Sequence, residues 1–283
     1  MMVEGPSLVD RITALMSGDE LKLPVFSEVA MKLQRLIHSD QATIEEVERV
    51  IQSDQSLAAE VLRAANSSFF GGLTQTQTIR PALVRLGFSQ VLQIVVLVTE
   101  RAKYRMRSPL IAERAQELWW HSVATAMAAQ WLARRMHHAK LAEEAFLGGL
   151  IHDIGKLAIL TAFDRVLADK DTPAPSQALL QEIVETRHCS AGEVLLRAWK
   201  IPEVYVRVVA GHHSEAFDPN DTLLVLVRLG NLAARRIGLS LSPDPSMVLA
   251  ATAEAAALGA TEVTLAELEV ILEDAIASLS AGP

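Results

Sequence analysis

The stretch Leu150-Ile-His-Asp-Ile-Gly-Lys156 places a histidine and an aspartate side by side within an otherwise apolar segment. An adjacent imidazole nitrogen and carboxylate oxygen form a mixed ligand set that suits Fe, Mn, Co or Zn. A metal held by such a set can activate water for attack on phosphorus. The doublet therefore predicts a metal site and raises the question of phosphohydrolysis.

Histidines on both sides of this doublet are spaced so that several helices could bring them to one site. Helical bundles build interior metal sites from side chains on facing helices. A lone inward histidine is more often a hydrogen-bonded core residue, so the prediction depends on the whole set together with Asp153. The histidines of this set are His121, His152, His188, His212 and His213.

Two further residues near these histidines have more than one interpretation. Glu117 lies one turn before His121 on the same predicted helix face, where its carboxylate could bridge two metals. An exposed charge on a long helix explains Glu117 equally well. Cys189 follows His188, but adjacent residues on a helix point about 100° apart. No second base is implied for Cys189, and we interpret it as a structural thiol.

Composition limits the class of protein. The chain has 283 residues, of which 50% are hydrophobic, so we expect an ordinary globular protein with a substantial core. Its net charge of −8 argues against partners such as nucleic acid or an anionic membrane surface. The single cysteine excludes an internal disulfide, and no signal peptide is evident. We therefore expect a cytoplasmic protein.

Almost every segment has the apolar spacing of a helix, so the sequence predicts an all-α fold. Pro24 can begin the first firm helix. Thr43-Ile-Glu-Glu46 has the form of a capping box, as does Thr264-Leu-Ala-Glu267. Asp54, Thr78 and Ser89 can each cap a helix.

Ser108-Pro109 marks a plausible joint, because proline disfavours a helical residue before it and begins a helix well. We therefore predict an N-terminal helical subdomain over residues 1–108 and a metal-binding helical subdomain over residues 109–283. In the second subdomain His121 faces inward on a helix that runs from about Leu110 to His137. The remaining helices are predicted around 142–152, 154–161, 176–188, 191–199, 202–213, 222–237, 247–258 and 265–279.

Motifs along nearly the whole chain resemble the HDOD family, a branch of the HD phosphohydrolase superfamily in bacterial signalling. The resemblance implies an all-α fold in which an N-terminal helical subdomain packs on an HD-like one. It also implies an output or scaffolding role that is usually not enzymatic, with signalling proteins as partners through the N-terminal subdomain. The first part of the resemblance rests on Leu23-Pro24, Ile51-Gln-Ser-Asp54, Leu62-Arg-Ala-Ala-Asn66-Ser67 and Leu86-Gly87; the second rests on His121-Ser122, the stretch from Leu150 to Lys156, His188 with Gly192 and Trp199, Ile201-Pro202, and His212-His213.

The related HD-GYP phosphodiesterases, which cleave cyclic dinucleotides at a site with two or three metals, match this chain unevenly. Two departures from their pattern weaken the prediction of turnover. No Gly-Tyr-Pro loop follows His212-His213, and Asn231 stands where the closing helical aspartate of an HD site is expected. The resemblance places metal or phosphate ligands at Glu117, His121, His152, Asp153, Lys156, His188, His212 and His213.

The amide of Asn231 can still coordinate a cation, but it carries no charge and holds a dication less tightly. Lys156 would steady a phosphate in an active site, and with no ligand it would instead pair with a carboxylate. If the chain is active, Lys156 and Asp153 are its catalytic residues.

Two functions remain open: a non-enzymatic signalling module with a retained metal site, and a metal-dependent phosphohydrolase acting on a nucleotide or cyclic dinucleotide. Both require a divalent transition metal, as one ion or two. Fe or Mn is favoured, with Zn, Co or Ni as alternatives. A nucleotide or phosphate is the expected ligand.

Overall fold

Helices form the whole of the regular structure that can be described. The structure is a computed structural model, and it describes Arg11 and residues 28–37, 42–66, 75–169 and 172–280. No strand occurs within these ranges, so the predicted all-α fold is confirmed. The predicted helix start at Pro24 lies outside the described residues, as does Ser67.

The chain divides into two compact units. The smaller unit consists of residues 24–103 and 274–283, and the larger of residues 1–23 and 104–273. The subdomain boundary predicted at residues 108 and 109 stays a prediction, because the division into compact units does not test it. The helices of the smaller unit are α1 (Glu28–Ile37), α2 (Ile44–Gln52), α3 (Gln55–Asn66), α4 (Ile79–Leu86) and α5 (Phe88–Arg101).

The smaller unit has its own apolar core. Leu33, Ile51 and Val91 are fully buried there, on helices α1, α2 and α5. Asp54 caps α3 as predicted, because its carboxylate accepts a hydrogen bond from the backbone of Leu57 at 3.1 Å. The predicted cap at Ser89 is wrong: α5 already begins at Phe88, directly after Gly87. Gly87 has φ of 74°, which favours glycine and separates α4 from α5.

The predicted capping box at the start of α2 is present. The Thr43 hydroxyl accepts a hydrogen bond from the backbone of Glu46, and the Glu46 carboxylate accepts one from the backbone of Thr43. We expect Thr43→Ala to lower the free energy of unfolding by about 1 kcal/mol. Thr78→Ala is the matched control, since Thr78 precedes α4 without a capping bond from its side chain. Equal losses in urea unfolding of the two variants would contradict this assignment.

The larger unit is arranged around one long helix. Helix α6 begins at Pro109 as predicted, and it packs along α7 and α11. The Asp164 carboxylate accepts hydrogen bonds from the backbone of Arg107 and Ser108 at 2.9 and 2.8 Å, which ties α8 to the start of α6. The helices of this unit are α6 (Pro109–Arg135), α7 (Ala142–Ile151), α8 (Ile154–Val166), α9 (Gln177–Ala198), α10 (Glu203–Gly211), α11 (Thr222–Arg236), α12 (Ala253–Leu258) and α13 (Glu262–Ser280), and the last of these runs on into residues of the smaller unit.

Several predicted helix boundaries in the larger unit are wrong. The helix predicted at 247–258 is shorter, and only Ala253–Leu258 is α-helical there. The separate helices predicted at 176–188 and 191–199 form one helix, α9, because no proline interrupts them. The predicted capping box at Thr264 lies inside α13, which begins at Glu262. Thr261 makes the capping bond instead, through its hydroxyl to the backbone of Thr264 at 3.2 Å.

Apolar helical segments are long enough to be tested as membrane spans. By length and composition, the described residues hold one such run, Ala139–Val166, and 89% of its most apolar window is buried inside the fold. A second pair, Ile79–Leu86 and Phe88–Tyr104, passes only if taken as one span, and it is bent by 113°. Core helices pass the same test, so these runs are weak evidence for a membrane.

Candidate metal centre

Four histidine rings of the larger unit converge on the carboxylate of Asp153. His121 comes from α6 and His188 from α9, while His152 and His212 directly follow α7 and α10. The predicted inward direction of His121 agrees with its exposure of only 1%. All four rings and Asp153 are buried. Residues far apart in sequence are therefore brought into one polar cluster inside an apolar unit.

Close helix contacts at glycines make this convergence possible. A Cβ atom at Gly155 would lie 1.9 Å from the carbonyl oxygen of His188, so α8 and α9 touch backbone to backbone beside Asp153. A Cβ atom at Gly149 would lie 2.7 Å from the Cα of Ala126, so the backbones of α7 and α6 are also in close contact. Each glycine thus sits where a larger residue would push two ligand-bearing helices apart.

The Asp153 carboxylate lies between two pairs of histidines. Its Oδ2 is 3.3 Å from the Nε2 atoms of both His121 and His152. Its Oδ1 is 3.5 Å from Nε2 of His188 and 3.3 Å from Nε2 of His212. The carboxylate therefore faces one pair with each oxygen, which is the arrangement of a bridging ligand.

Backbone carbonyls fix the orientation of all four rings. Nδ1 of His121 is 2.8 Å from the carbonyl oxygen of Leu239, and Nδ1 of His152 is 2.7 Å from that of Gly149. Nδ1 of His188 and of His212 make the same contact with Val184 and Val209, each at 2.9 Å. A carbonyl can only accept, so each Nδ1 must carry the proton and donate. In a neutral ring the Nε2 then carries the lone pair that faces the cluster, and the Nε2 of His188 also lies 3.4 Å from the Cys189 thiol, which can donate to it.

The lone pairs face one another without a proton between them. The Nε2 atoms of His121 and His152 are 3.2 Å apart, and those of His188 and His212 are 3.3 Å apart. Within the described part of the chain, Oδ1 of Asp153 has no hydrogen-bond partner, and Oδ2 is paired with the Lys156 ammonium at 3.0 Å. Acceptors packed this closely and shielded from water repel each other unless a cation compensates them.

The protonation states also suit a cation. Burial lowers the pKa of His152 and of His212, and it lowers that of His188 to about 4, so these rings are neutral near pH 7. Burial alone would raise the pKa of Asp153, but the charge of the nearby Lys156 ammonium holds it well below the usual range. Neutral imidazoles and an ionised carboxylate are the forms that ligate metals.

A metal ion fits this set of atoms. Ligand atoms about 2.1 Å from one ion can lie at most about 4.2 Å apart, and the contacts described above are shorter. Two groups of donors have the required proximity: His121, His152 and Asp153 form the closed group, while Asp153, His188, His212 and His213 form the open group. The names refer to exposure, because His213 alone among these residues is exposed.

A cavity of about 260 Å³ adjoins the open group. His188 and His213 line it, together with Lys156, Asn231 and Arg235. The Nζ of Lys156 is buried and lies 3.0 Å from Oδ2 of Asp153 and 3.8 Å from Oε1 of Glu185. The cavity therefore presents positive and hydrogen-bonding groups directly beside the cluster, with space for a small polar molecule.

The residues predicted for the site divide into three sets. His121, His152, Asp153, His188, His212 and His213 lie together, and Lys156 and Asn231 border the same cavity. Glu117 belongs to neither donor group among the described residues; its carboxylate pairs with Arg114 at 2.9 Å. A ligand role for each residue stays a prediction, and for Glu117 the contacts favour the surface alternative.

Sequence reasoning did not find Arg235 or the carbonyl of Leu239. The Nε of Arg235 donates to the carbonyl of Ser242 at 3.2 Å, which holds one wall of the cavity. Arg235 could have been found from the sequence, because it lies one turn after Asn231 on α11 and therefore on the same face of that helix. The Leu239 carbonyl left no signal, because any residue type can supply it.

Most of the chain, residues 23–215, matches the HDOD domain. The chain belongs to the HDOD family. An HDOD domain protein of unknown function from Geobacter sulfurreducens has a similar structure, with a TM-score of 0.74, 20% identity and coverage of 96% of both chains. A Shewanella amazonensis SB2B protein, named by inference as a metal-dependent phosphohydrolase, has a TM-score of 0.67 and 19% identity over 93% of this chain and 96% of its own.

Two longer proteins are also similar to this HDOD chain. One, from Marinobacter aquaeolei VT8 and named by inference as a signal transduction protein, has a TM-score of 0.63 and 23% identity over 93% of this chain and 59% of its own. An uncharacterized protein of Treponema pallidum (strain Nichols) is 22% identical over 75% of this chain. The HDOD chain spans 42% of the length of that relative. These structural likenesses establish the shared fold alone.

Proposed function

We propose that this HDOD chain is a bacterial, cytoplasmic signalling module that binds a divalent transition metal and uses it to hold a phosphate-bearing ligand such as a nucleotide. The observation that carries the proposal is the buried Asp153 carboxylate, which is faced by the Nε2 atoms of four histidines and contacts the ammonium group of Lys156 through Oδ2. One ammonium group cannot satisfy all of these acceptors, and a metal ion bound among them would. Fe or Mn is the favoured ion, with Zn, Co or Ni as alternatives.

The two donor groups support a centre with two ions that share Asp153. A bound metal would supply positive charge that attracts and polarises a phosphate. Lys156 and Arg235 would add charge from the cavity wall, where Lys156 also steadies the carboxylate of Asp153. The ligand would therefore enter from the side of His213. Binding, and not turnover, is the proposed output, with a signalling protein as the partner.

Metal analysis and a ligand titration together test this function. Protein produced with added iron or manganese should retain a transition metal after extensive dialysis, and His152→Ala should not. Calorimetry with nucleotides should detect binding to the metal-loaded protein only. Protein that holds no metal under these conditions would contradict the proposal.

A second candidate function is metal-dependent phosphohydrolysis. The contact of Lys156 with Asp153, beside a cavity of about 260 Å³ that Lys156 lines, favours it. Steady metal-dependent hydrolysis of a nucleotide or cyclic dinucleotide, abolished in His152→Ala, would establish this function and overturn the non-enzymatic one. A metal-loaded protein that turns over none of these compounds would exclude it.

Asn231 offers a direct test of how charge at the site limits the chemistry. Asn231 is buried and lines the cavity beside His188 and His213. We expect Asn231→Asp to tighten metal binding by about tenfold, because a carboxylate adds ligand charge, and to raise any phosphoester turnover. Asn220→Asp adds the same charge at an exposed position and serves as the control. Equal metal affinity in the two variants would exclude Asn231 as a ligand.

A further inference from the structure

Arg228 on α11 contacts the backbone on both sides of the His212-His213 pair. Its Nη1 donates to the carbonyl oxygens of Gly211 and of Ser214, each at 2.9 Å. These are the residues immediately before and after the two histidines. The side chain of Arg228 is only 11% exposed, so water cannot easily replace it. One guanidinium group therefore spans the turn that carries both rings.

Two other side chains hold this guanidinium in place. Oε1 of Glu254 lies 2.8 Å from Nε of Arg228 and 2.7 Å from its Nη2, and the Glu254 side chain is 7% exposed. The Phe217 ring lies 4.2 Å below the guanidinium carbon, a cation–π distance. A buried arginine that is paired and stacked in this way has little freedom. It can act as a fixed support for the turn.

The turn needs such support because it follows the end of α10. The last carbonyls of a helix lack partners within it, and a cation at that end is favourable. The residues after the pair, Ser214 to Phe217, are those that replace the Gly-Tyr-Pro loop of the HD-GYP proteins. Arg228 contacts both ends of this segment, through Ser214 and Phe217.

His213 depends on this support more than the other rings do. The rings of His121, His152, His188 and His212 are each anchored through Nδ1 to a carbonyl. Among the described residues, His213 has no such hydrogen bond to a carbonyl; its ring packs against those of His188 and His212, with centroids 5.1 and 4.3 Å away. Its direction is therefore set by the backbone turn that Arg228 holds.

We propose that Arg228, held by Glu254, is a positioning residue for the open group of the metal centre. The inference rests on the proposed metal-binding function and adds a selective effect to it. The closed group is anchored by the carbonyls of Leu239 and Gly149, whereas the hydrogen bonds of Arg228 found among the described residues go to Gly211, Ser214 and Glu254. Loss of Arg228 should thus weaken one of the two metal positions and spare the other.

Cobalt titration of metal-free protein tests the proposal. Calorimetry and absorption spectroscopy should resolve two binding events in the wild-type chain, one for each donor group. In Arg228→Ala the binding event of the open group should lose about 10- to 100-fold in affinity. This is the usual loss when a supporting partner of a metal ligand is removed. The other event should not change. Arg207→Ala is the matched control, since it removes an exposed arginine of α10 that pairs with Asp221.

A second readout does not need the metal. Imidazole NMR signals of metal-free protein should shift or broaden for His213 in Arg228→Ala, while those of His121 stay unchanged. A general loss of structure would instead move every ring. If Arg228→Ala does not fold, Arg228→Lys replaces it: lysine keeps the charge but cannot hold Glu254 and both carbonyls together, so the same selective loss is expected.

The possible failures are distinguishable. A wild-type chain that takes up no cobalt would overturn the proposed function together with this inference. A wild-type chain with two binding events, accompanied by an Arg228 variant that matches Arg207→Ala, would overturn only the role of Arg228. Equal weakening of both events in the variant would also overturn it, because the effect would then not be confined to the open group.

Discussion

Asp153→Asn should lower metal affinity by at least about 100-fold, because even partners outside the first ligand shell contribute 10- to 100-fold. The substitution keeps the shape of the side chain but removes the charge that faces all four histidines. Both donor groups share Asp153, so both metal positions should be affected. Elemental analysis after dialysis and cobalt titration measure this loss.

Two carboxylates serve as comparisons for that variant. Glu182→Gln removes an exposed charge from α9 and should leave metal binding unchanged. Glu117→Gln tests the remaining predicted ligand, and the pairing of Glu117 with Arg114 leads us to expect little effect. Metal retained by Asp153→Asn at the wild-type level would refute the proposed centre.

Gly155→Ala should destabilise the larger unit by about 3 kcal/mol or more, at the upper end of what overpacking costs. The added Cβ would lie 1.9 Å from the carbonyl oxygen of His188 and 2.7 Å from the backbone nitrogen of Gly192. Backbone atoms cannot rotate away as a flexible side chain does, so α8 and α9 must separate. Urea unfolding measures the destabilisation, and metal titration should detect a weakened open group.

Gly211→Ala is the matched comparison for this variant. At Gly211 the nearest atoms to an added Cβ belong to the Leu224 side chain, at 3.6 and 3.8 Å, which is ordinary contact. We therefore expect a small change in the free energy of unfolding. Equal effects of the two substitutions would indicate that the contact between α8 and α9 does not limit the stability of the unit.

Local sequence patterns predicted the helices well where a side chain determines the boundary. Thr43, Asp54 and Pro109 each begin or cap a helix as expected, because capping depends on residue type and short-range geometry. The predictions failed at Ser89 and Thr264, where a capping residue type occurs inside a helix that began earlier. Residue type alone does not distinguish the N-cap of a helix from a position inside its first turn.

The grouping of the histidines could be predicted from the sequence, because metal-ligating residue types are few and five histidines and Asp153 occur at spacings that several helices can bring together. This prediction did not need to know which helices are in contact. It needed only that several inward-facing histidines must have polar partners. The supports of the site are different. The Leu239 carbonyl and the Arg228–Glu254 pair act across 118 and 26 residues, and no periodicity in the sequence connects such positions. Only the tertiary structure identifies them.

The four anchored histidines come from separate parts of the larger unit, so a bound metal would affect how long the chain stays folded. An ion bound among them would join α6, α9 and the ends of α7 and α10, so none of these segments could detach without giving up a ligand. Such an ion binds the folded chain and not the unfolded one, and it therefore stabilises in proportion to the logarithm of its free concentration. Persistence against proteolysis would then follow the supply of metal in the cell.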